Sequence, residues 1–202
     1  MKTLFNTIIL LITFSLYAQQ DDFVRLKDLS PDFVFDLKYA TPDNFLKQAV
    51  YECGECYLRK STAQALLKAN ENFKQLGYRI KLFDCYRPLE VQKKMWKILP
   101  GTHYVANPAK GSKHNRGAAV DLTLVDKQGK ELDMGTPFDF FGKKAHHSYT
   151  QLPPKVLENR KLLKEILDKY NFKSIYSEWW HYEYRPEMQS KVENFQWQCD
   201  DK

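Results

Sequence analysis

Two short stretches of the sequence carry residues that could bind a metal ion. The decapeptide SKHNRGAAVD places His114 seven residues before Asp121, and the octapeptide SEWWHYEY places Glu178 three residues before His181. Two imidazoles and one carboxylate can form a catalytic zinc site, in which the fourth position stays open for water. His114, Asp121 and His181 are therefore candidate ligands of one zinc ion per chain. Glu178 is a candidate base that would not bind the metal.

Asp121 belongs to a stretch that alternates like a β-strand, AAVDLTLVD at residues 118–126. Alternate side chains of a strand share a face, and the apolar set of this strand predicts a core on one side. Asp121 is then expected on the opposite face. Gly111 and Gly117 flank His114 and can adopt backbone conformations that other residues avoid, so the loop could fold the imidazole back over Asp121.

The aromatic block from residue 174 to residue 184 is predicted to be a closing strand. In a regular strand Glu178 and His181 would point to opposite faces, because an odd number of residues separates them. A shared site therefore requires a turn or bulge at Glu178. The alternative interpretation is a core strand without a metal, since a histidine among aromatic residues is usually packed or at the surface.

The remaining patterns indicate an α+β fold. Ser61 and Gln64 have the spacing of a capping box, and Gly77 is expected to end the same helix. Because helices and strands do not alternate regularly, we expect a single domain with a central, mostly antiparallel sheet and helices packed on it. Helices are predicted at residues 61–77, 89–99 and 155–170, and further strands at residues 32–40 and 78–83.

The N-terminal segment, residues 1–18, has one early lysine, an apolar run and a small residue at its end, which is typical of a secretory signal peptide. The alternative is a single membrane anchor. Residues 19–202 suit one domain, and we expect no membrane association after signal removal. The predicted location is periplasmic or secreted. The 31 basic and 25 acidic residues are interspersed, and no signature of nucleic-acid binding is present.

Four cysteines follow the predicted signal peptide: Cys53, Cys56, Cys85 and Cys199. An exported protein meets an oxidising environment, which permits disulfides. Four cysteines allow three complete pairings, and the sequence leaves all three open. The CxxC pattern of Cys53 and Cys56 could mark a redox protein, but a structural role is favoured.

The two metal-binding stretches together resemble the signature of zinc D-alanyl-D-alanine peptidases, SxHxxGxAxD followed by ExxH. Within that superfamily the chain is most similar to the D-alanyl-D-alanine dipeptidases of the vancomycin-resistance type. The further stretches that carry this resemblance are DLKYATPDNF, DCYRP, LDMGTPFDF and SEWWHYEY. The resemblance runs from about residue 24 to about residue 185.

The resemblance implies that the three candidate ligands bind zinc and that Glu178 is the catalytic base. Arg87, in DCYRP, matches the arginine that stabilises the transition state, and its alternative role is a surface ion pair with Asp84. Asp139, in PFDF, matches the acidic residue that holds the free amino group of the substrate. The alternative for Asp139 is an ordinary turn aspartate.

The group that would bind the substrate carboxylate is not evident from the sequence, and Ser112 and Tyr39 are candidates only. The adjacent histidines His146 and His147 are not expected to be ligands. Two features depart from the family pattern, because Cys85 replaces a residue that is often small and Cys53 has no counterpart.

The activity that the resemblance implies is hydrolysis of a small dipeptide, D-alanyl-D-alanine, to two molecules of D-alanine. Recycling or nutrition is favoured over antibiotic resistance, because an exported enzyme would not reach a cytoplasmic dipeptide pool. One alternative is a D,D-carboxypeptidase or L,D-endopeptidase that acts on peptidoglycan stem peptides. Another is a non-catalytic, zinc-containing wall-binding module, which would need no Glu178. The oligomeric state stays open.

Overall fold

The computed structural model describes residues 22–102 and 104–199, so the predicted signal peptide lies outside the described residues. Short 3-10 turns occur at Lys38–Ala40, His114–Arg116, Lys143–Ala145 and Arg185–Glu187. The regular elements, in chain order, are β1 (Phe23–Arg25), α1 (Leu26–Leu29), β2 (Val34–Phe35), β3 (Tyr57–Arg59), α2 (Lys60–Gln75), β4 (Arg79–Asp84), α3 (Leu89–Ile98), β5 (Ala119–Val125), α4 (Pro154–Lys169), β6 (Phe172–Ser174) and β7 (His181–Tyr184).

The main sheet has five strands in the order β2-β4-β5-β7-β6. Strand β2 pairs in parallel with β4, and every other neighbouring pair in this sheet is antiparallel. Strands β1 and β3 form a separate antiparallel pair. The predicted α+β class with a mostly antiparallel sheet is confirmed. Among residues 22–102 and 104–199, no helix combines the length and apolar character that crossing a membrane requires.

The hydrophobic core joins the two long helices to the central strands. Helix α2 contributes Leu66, Ala69 and Phe73, and helix α4 contributes Leu163 and Leu167, all of them fully buried. They cluster with apolar residues of β4 and β5, as the helical periodicity predicted. Strand β5 is buried along its whole length, so Asp121 occupies a sheltered position in the middle of the fold.

The C-terminal segment, residues 191–199, has no regular secondary structure but packs along the fold. Its backbone accepts hydrogen bonds from the Tyr86 hydroxyl (3.1 Å, at Phe195) and from the Leu89 amide (3.3 Å). The ring of Phe195 stacks on Tyr86 at a centroid distance of 4.4 Å. The indole of Trp197 lies edge-on to Tyr51 at 5.4 Å. The segment therefore covers the chain that follows β4.

The predicted strand at residues 32–40 is wrong over most of its length. Strand β2 spans two residues, and the chain then turns through the 3-10 segment Lys38–Ala40. The reason lies in the core, because Phe33 and Leu37 enter the main cluster whereas Tyr39 enters a second cluster with helix α3. A straight strand could not place its side chains in both hydrophobic clusters.

The predicted capping box is also wrong. Helix α2 begins at Lys60, directly after β3, and no side chain caps it. The backbone carbonyl of Asp22 instead accepts a hydrogen bond from the Lys60 amide at 3.0 Å, and Ser61 Oγ donates to Glu187 at 2.5 Å. The predicted stop holds, since Gly77 adopts a φ of +88° two residues after the helix ends.

The predicted closing strand over residues 174–184 is two strands. Strands β6 and β7 run antiparallel, with Ser174 opposite Tyr182, so the chain must reverse direction between them. Residues 175–180 form that reversal, and Glu178 lies within it. The turn that a shared site required at Glu178 is therefore present.

The structure selects one of the three possible cysteine pairings. Disulfides join Cys53 to Cys199 and Cys56 to Cys85. A CxxC redox motif works by forming a bond between its own two cysteines. Here each cysteine of the CxxC is paired with a distant residue, which contradicts a redox role and agrees with the structural one.

Candidate active site

Two imidazoles and a carboxylate meet where β5 and β7 lie side by side. The strand register pairs Asp121 with His181, and Asp121 Oδ1 lies 2.9 Å from His181 Nδ1. The loop before β5 returns His114, whose Nε2 lies 3.4 Å from Asp121 Oδ2 and 3.1 Å from His181 Nδ1. One ligand atom from each residue lies within 4.8 Å of the others, and all three residues are buried.

The backbone around His114 explains how the loop folds back. His114–Arg116 form a 3-10 turn that ends at Gly117 with a φ of +65°. A β-carbon at Gly117 would lie 2.3 Å from the ring of Phe23, so only glycine fits without displacing that ring. Nδ1 of His114 lies 2.7 Å from the carbonyl oxygen of Cys85. A carbonyl only accepts, so Nδ1 carries the proton and Nε2 presents its lone pair to the cluster.

The second nitrogen of His181 faces a residue that the sequence analysis did not select. Nε2 of His181 lies 3.5 Å from Glu183 Oε1. Carboxylates in this position orient a metal-binding histidine and fix which nitrogen carries the proton. Glu183 could have been found from the sequence, because residues two apart in a strand share a face.

The electrostatics of the cluster favours a negatively charged Asp121 beside a positively charged His181. Burial acts to raise the pKa of Asp121, but His114 and His181 outweigh it and hold that pKa far below its ordinary value. Burial acts to lower the pKa of His181, yet the hydrogen bond to Asp121 and the nearby Glu183 raise it to about 10. The site therefore attracts a cation, and a metal ion would displace the proton from His181.

Glu178 faces the same cavity from the reversal between β6 and β7. Burial raises the pKa of Glu178 above its ordinary value, and the Asp121 carboxylate adds to the rise while His181 opposes it. A buried carboxylate with a raised pKa is a stronger base than an exposed one. The position and the chemistry of Glu178 thus suit proton transfer beside the cluster.

Arg87 is buried and held by three hydrogen bonds. Its Nε and Nη2 donate to Asp84 Oδ2 at 3.1 and 2.6 Å, and its Nη1 donates to Gln92 Oε1 at 2.9 Å. The other oxygen of Asp84 accepts from the Tyr51 hydroxyl at 2.7 Å. The ion pair between Arg87 and Asp84, which the sequence analysis considered as a surface feature, is present but buried. Arg87 lines the cavity, so its pairing with Asp84 fixes the direction of its guanidinium.

Asp139 and Tyr39 meet at the cavity wall. The Tyr39 hydroxyl lies 3.1 Å from Asp139 Oδ2 and 3.2 Å from Oδ1. Asp139 adopts a φ of +57°, a left-handed conformation that aspartate tolerates better than most residues. Burial, with Asp121 nearby, raises the pKa of Asp139 well above its ordinary value. The Tyr39 hydrogen bond and the charge of Arg87 act to lower that pKa, but they do not outweigh burial.

The cavity that these residues share has a volume of about 280 Å³. Ser112 lines it, and so does Lys113, which the sequence analysis did not select. Lys113 Nζ donates to the carbonyl of Met188 at 2.7 Å, which leaves two of its three hydrogens for other acceptors. His147 lies elsewhere, against Arg160, as expected for a histidine that is not a ligand.

The three donors at the cluster fit a catalytic zinc site. They are two nitrogens and one carboxylate, they lie close together, and His114 has the outer hydrogen bond that metal-binding histidines usually have. Calcium and magnesium prefer shells made only of oxygen ligands, and a site with two imidazoles and a single carboxylate does not provide one. The donor chemistry therefore fits zinc.

An α+β fold with such a cluster, a half-buried glutamate and a small shared cavity is typical of a metal-dependent hydrolase. Residues 19–198 match the model of the M15 peptidase family, described as D-ala-D-ala dipeptidase, and the chain belongs to this family. The resemblance drawn from the sequence motifs is confirmed.

Several relatives in this family are similar along most of their length. The D-alanyl-D-alanine dipeptidase of Escherichia coli K12 is 38% identical over 162 residues, covering 80% of this chain and 84% of that protein. The D-alanyl-D-alanine dipeptidase of Enterococcus faecium is 33% identical over 186 residues, covering 82% and 92%. A solved structure of the LdcB LD-carboxypeptidase matches with 24% identity and a low TM-score of 0.46, over 81% of this chain and 67% of that one.

Proposed function

We propose that this chain hydrolyses D-alanyl-D-alanine to two molecules of D-alanine, with one zinc ion held by His114, Asp121 and His181. The observation that carries the proposal is a small cavity shared by the buried donor cluster and the half-buried Glu178 and Asp139. The relatives named as D-alanyl-D-alanine dipeptidases support the choice of substrate.

Glu178 moves the proton in the proposed reaction. A zinc ion, when bound, polarises a carbonyl group and lowers the pKa of a water molecule to about 7. Glu178 accepts the proton of the attacking water and delivers it to the nitrogen of the leaving D-alanine. General acid–base transfer of this kind contributes about 10²- to 10⁴-fold to a rate.

Arg87 stabilises the negative charge that develops on the carbonyl oxygen. Its guanidinium is already held by Asp84 and Gln92, so it need not reorganise during the reaction. Preorganised donors in a site that excludes water are worth more than the same donors in water.

Asp139 selects a substrate with a free amino group. Its carboxyl is half-buried, and its described hydrogen bonds come from the uncharged Tyr39. An incoming ammonium group would supply the missing positive charge, and the pair would form a charge-assisted hydrogen bond. An acylated amine carries no charge and leaves the carboxyl without that partner, so longer peptides are disfavoured.

Ser112 and Lys113 are the proposed contacts of the substrate carboxylate. Both line the cavity, and Lys113 is bonded to a carbonyl group, which leaves its charge available to an anionic ligand. Tyr39 is less suited to this role, because its hydroxyl faces Asp139 and would meet the ammonium end.

Export is part of the proposal. The N-terminal segment has the pattern of a signal peptide, and two disulfides are typical of proteins that fold in an oxidising compartment. A D-alanine dipeptide outside the cytoplasm would come from the cell wall, so recycling or nutrition is the proposed use.

The proposal is tested by metal analysis of the purified mature protein together with hydrolysis assays. D-alanyl-D-alanine, its N-acetylated form and a peptidoglycan stem peptide are compared, each with and without a chelator. Hydrolysis of the free dipeptide that a chelator abolishes and zinc restores supports the proposal. Preference for the stem peptide would favour a carboxypeptidase or endopeptidase, and bound zinc without any hydrolysis would favour a wall-binding module.

A further inference from the structure

The orientation of His114 depends on a residue outside the cavity. Its Nδ1 donates to the carbonyl oxygen of Cys85 at 2.7 Å. The nearest carboxylate oxygen to Nδ1, from Asp84, lies at 3.6 Å, which is too far for a hydrogen bond. The position of one backbone carbonyl therefore determines where the lone pair of His114 Nε2 points.

The carbonyl of Cys85 lies one residue beyond the end of strand β4, so the hydrogen bonds of the sheet do not fix its position. Strand β4 ends at Asp84, and its pairing with β5 shifts register immediately before this residue. Two links to residues 56 and 57 hold the chain beyond Asp84. The amide of Tyr86 donates to the carbonyl of Tyr57 at 2.9 Å, and the disulfide joins Cys85 to the residue preceding Tyr57.

The disulfide is enclosed by the core. Cys56 and Cys85 are 2% and 1% exposed, and both belong to the main hydrophobic cluster. Such a bond is shielded from thiols in solution, so a structural role fits better than exchange. Its other end is well fixed, because the carbonyl of Cys56 accepts from the amide of Leu26 at 2.9 Å.

The same segment connects His114 to Arg87. The amide of Arg87 donates to the carbonyl of His114 at 3.1 Å, and Asn115 Nδ2 donates to the carbonyl of Arg87 at 2.7 Å. A displacement of Cys85 would therefore shift a proposed zinc ligand and the proposed oxyanion donor together.

We infer that the Cys56–Cys85 disulfide is a positioning element of the zinc site, because it fixes the carbonyl that orients His114. The disulfide acts through His114 and contacts neither the metal nor the substrate. The inference rests on the zinc site proposed above. Outer hydrogen-bond partners of metal-binding histidines typically change metal affinity by about 10- to 100-fold when they are lost.

The test compares the two disulfides of this chain. The double variant Cys56→Ala/Cys85→Ala removes the positioning disulfide, and Cys53→Ala/Cys199→Ala removes the other, whose cysteines do not line the cavity. Zinc affinity is measured by competition with a chromophoric chelator, without peptide, and the Tm of each metal-free protein is recorded. We expect both variants to lose stability, but only Cys56→Ala/Cys85→Ala to bind zinc about 10-fold or more weakly.

Two results would overturn the inference: unchanged zinc affinity in Cys56→Ala/Cys85→Ala, or equal weakening in both variants. Should the alanine pair not fold, Cys56→Val/Cys85→Ala, which keeps more of the buried apolar volume, is studied by NMR at low temperature. The Nδ1 proton of His114 is then expected to exchange faster than in the wild type, and equal protection would also overturn the inference. Because no peptide is used, failure of dipeptide hydrolysis would count against the proposed function alone.

Discussion

The hydroxyl of Tyr39 lies 3.1 Å from Asp139 Oδ2, although 100 residues separate the two in the chain. An uncharged donor thus holds a half-buried carboxyl in the wall of the cavity. A phenol hydrogen bond stabilises a carboxylate only partly, whereas an ammonium group would also supply the opposite charge. This arrangement leads to a prediction about substrate choice.

Replacing Asp139 with asparagine should remove the preference for a free amino group. Hydrogen bonds to charged groups contribute about 1.5–3 kcal/mol, so Asp139→Asn should lower kcat/KM for D-alanyl-D-alanine by about 10- to 100-fold. Hydrolysis of the N-acetylated dipeptide should not fall. Asp28→Asn, at an exposed position, is the control. Equal losses on both substrates would show that Asp139 does not recognise the amine.

Glu178→Gln should abolish most turnover without removing the metal. The amide cannot accept the proton of the water, so kcat is expected to fall by about 10²- to 10⁴-fold. Steady-state kinetics and zinc content are measured on the same preparation, with the exposed Glu158→Gln as control. Full turnover by a zinc-loaded Glu178→Gln protein would refute the proposed role of this residue.

Arg87→Lys should reduce kcat more than it changes KM. Lysine keeps the charge but cannot reproduce the forked donors that reach Asp84 and Gln92, so its ammonium would be misplaced. Loss of one oxyanion donor typically costs about 10²- to 10³-fold in kcat. The exposed Arg185→Lys serves as control. A higher KM with unchanged kcat would instead mean that Arg87 binds the ground state.

Lys113→Met should weaken recognition of the substrate carboxylate. We expect KM for D-alanyl-D-alanine to rise about 10-fold or more, because a hydrogen bond between two charged groups is lost. D-alanyl-D-alanine amide has a carboxamide in place of the C-terminal carboxylate. The wild type and Lys113→Met should therefore cleave this second substrate equally well. Lys110→Met, in the same loop but outside the cavity, is the control. A similar change in KM for both substrates would exclude this contact.

His147 should make the stability of the protein depend on pH. Burial, with Lys164 and Arg160 nearby, lowers the pKa of His147 to about 4 in the folded protein. The unfolded chain takes up this proton below about pH 6.5, whereas the folded protein resists it until about pH 4. The stability contributed by neutral His147 is therefore complete above pH 6.5 and is lost as the pH falls towards 4.

Urea denaturation at several pH values measures this effect. The free energy of unfolding should decline less steeply between pH 6.5 and pH 4 in His147→Gln than in the wild type. His146→Gln provides a control at the adjacent histidine. Parallel pH profiles for the wild type and His147→Gln would contradict the prediction.

The sequence was sufficient to predict the strand that carries Asp121 and the loop that carries His114. Strict alternation around Asp121 predicted both its strand and its face, because apolar burial selects one register over the next. The glycines near His114 predicted a loop able to turn back. Similar local patterns predicted helices α2, α3 and α4 to within a few residues at either end.

The features that could not be predicted from the sequence depend on contacts between residues that are distant in the chain. The network from Tyr51 through Asp84 to Arg87 joins residues that are far apart in the chain, and no periodicity predicts it. Lys113 became a candidate only when the cavity was visible. The capping spacing at Ser61 did not predict a cap, because the helix begins one residue earlier, where the carbonyl of Asp22 accepts from the Lys60 amide.

The bond between Cys53 and Cys199 spans 146 positions of the chain. This disulfide cannot form until the ribosome has synthesised every residue between the two cysteines. Once sealed, the denatured polypeptide is a large ring with far fewer conformations than an open chain, worth about 5 kcal/mol on a simple entropic estimate. Formation of this bond therefore follows synthesis of the C-terminal segment, and tags or truncations near Cys199 would disturb it most.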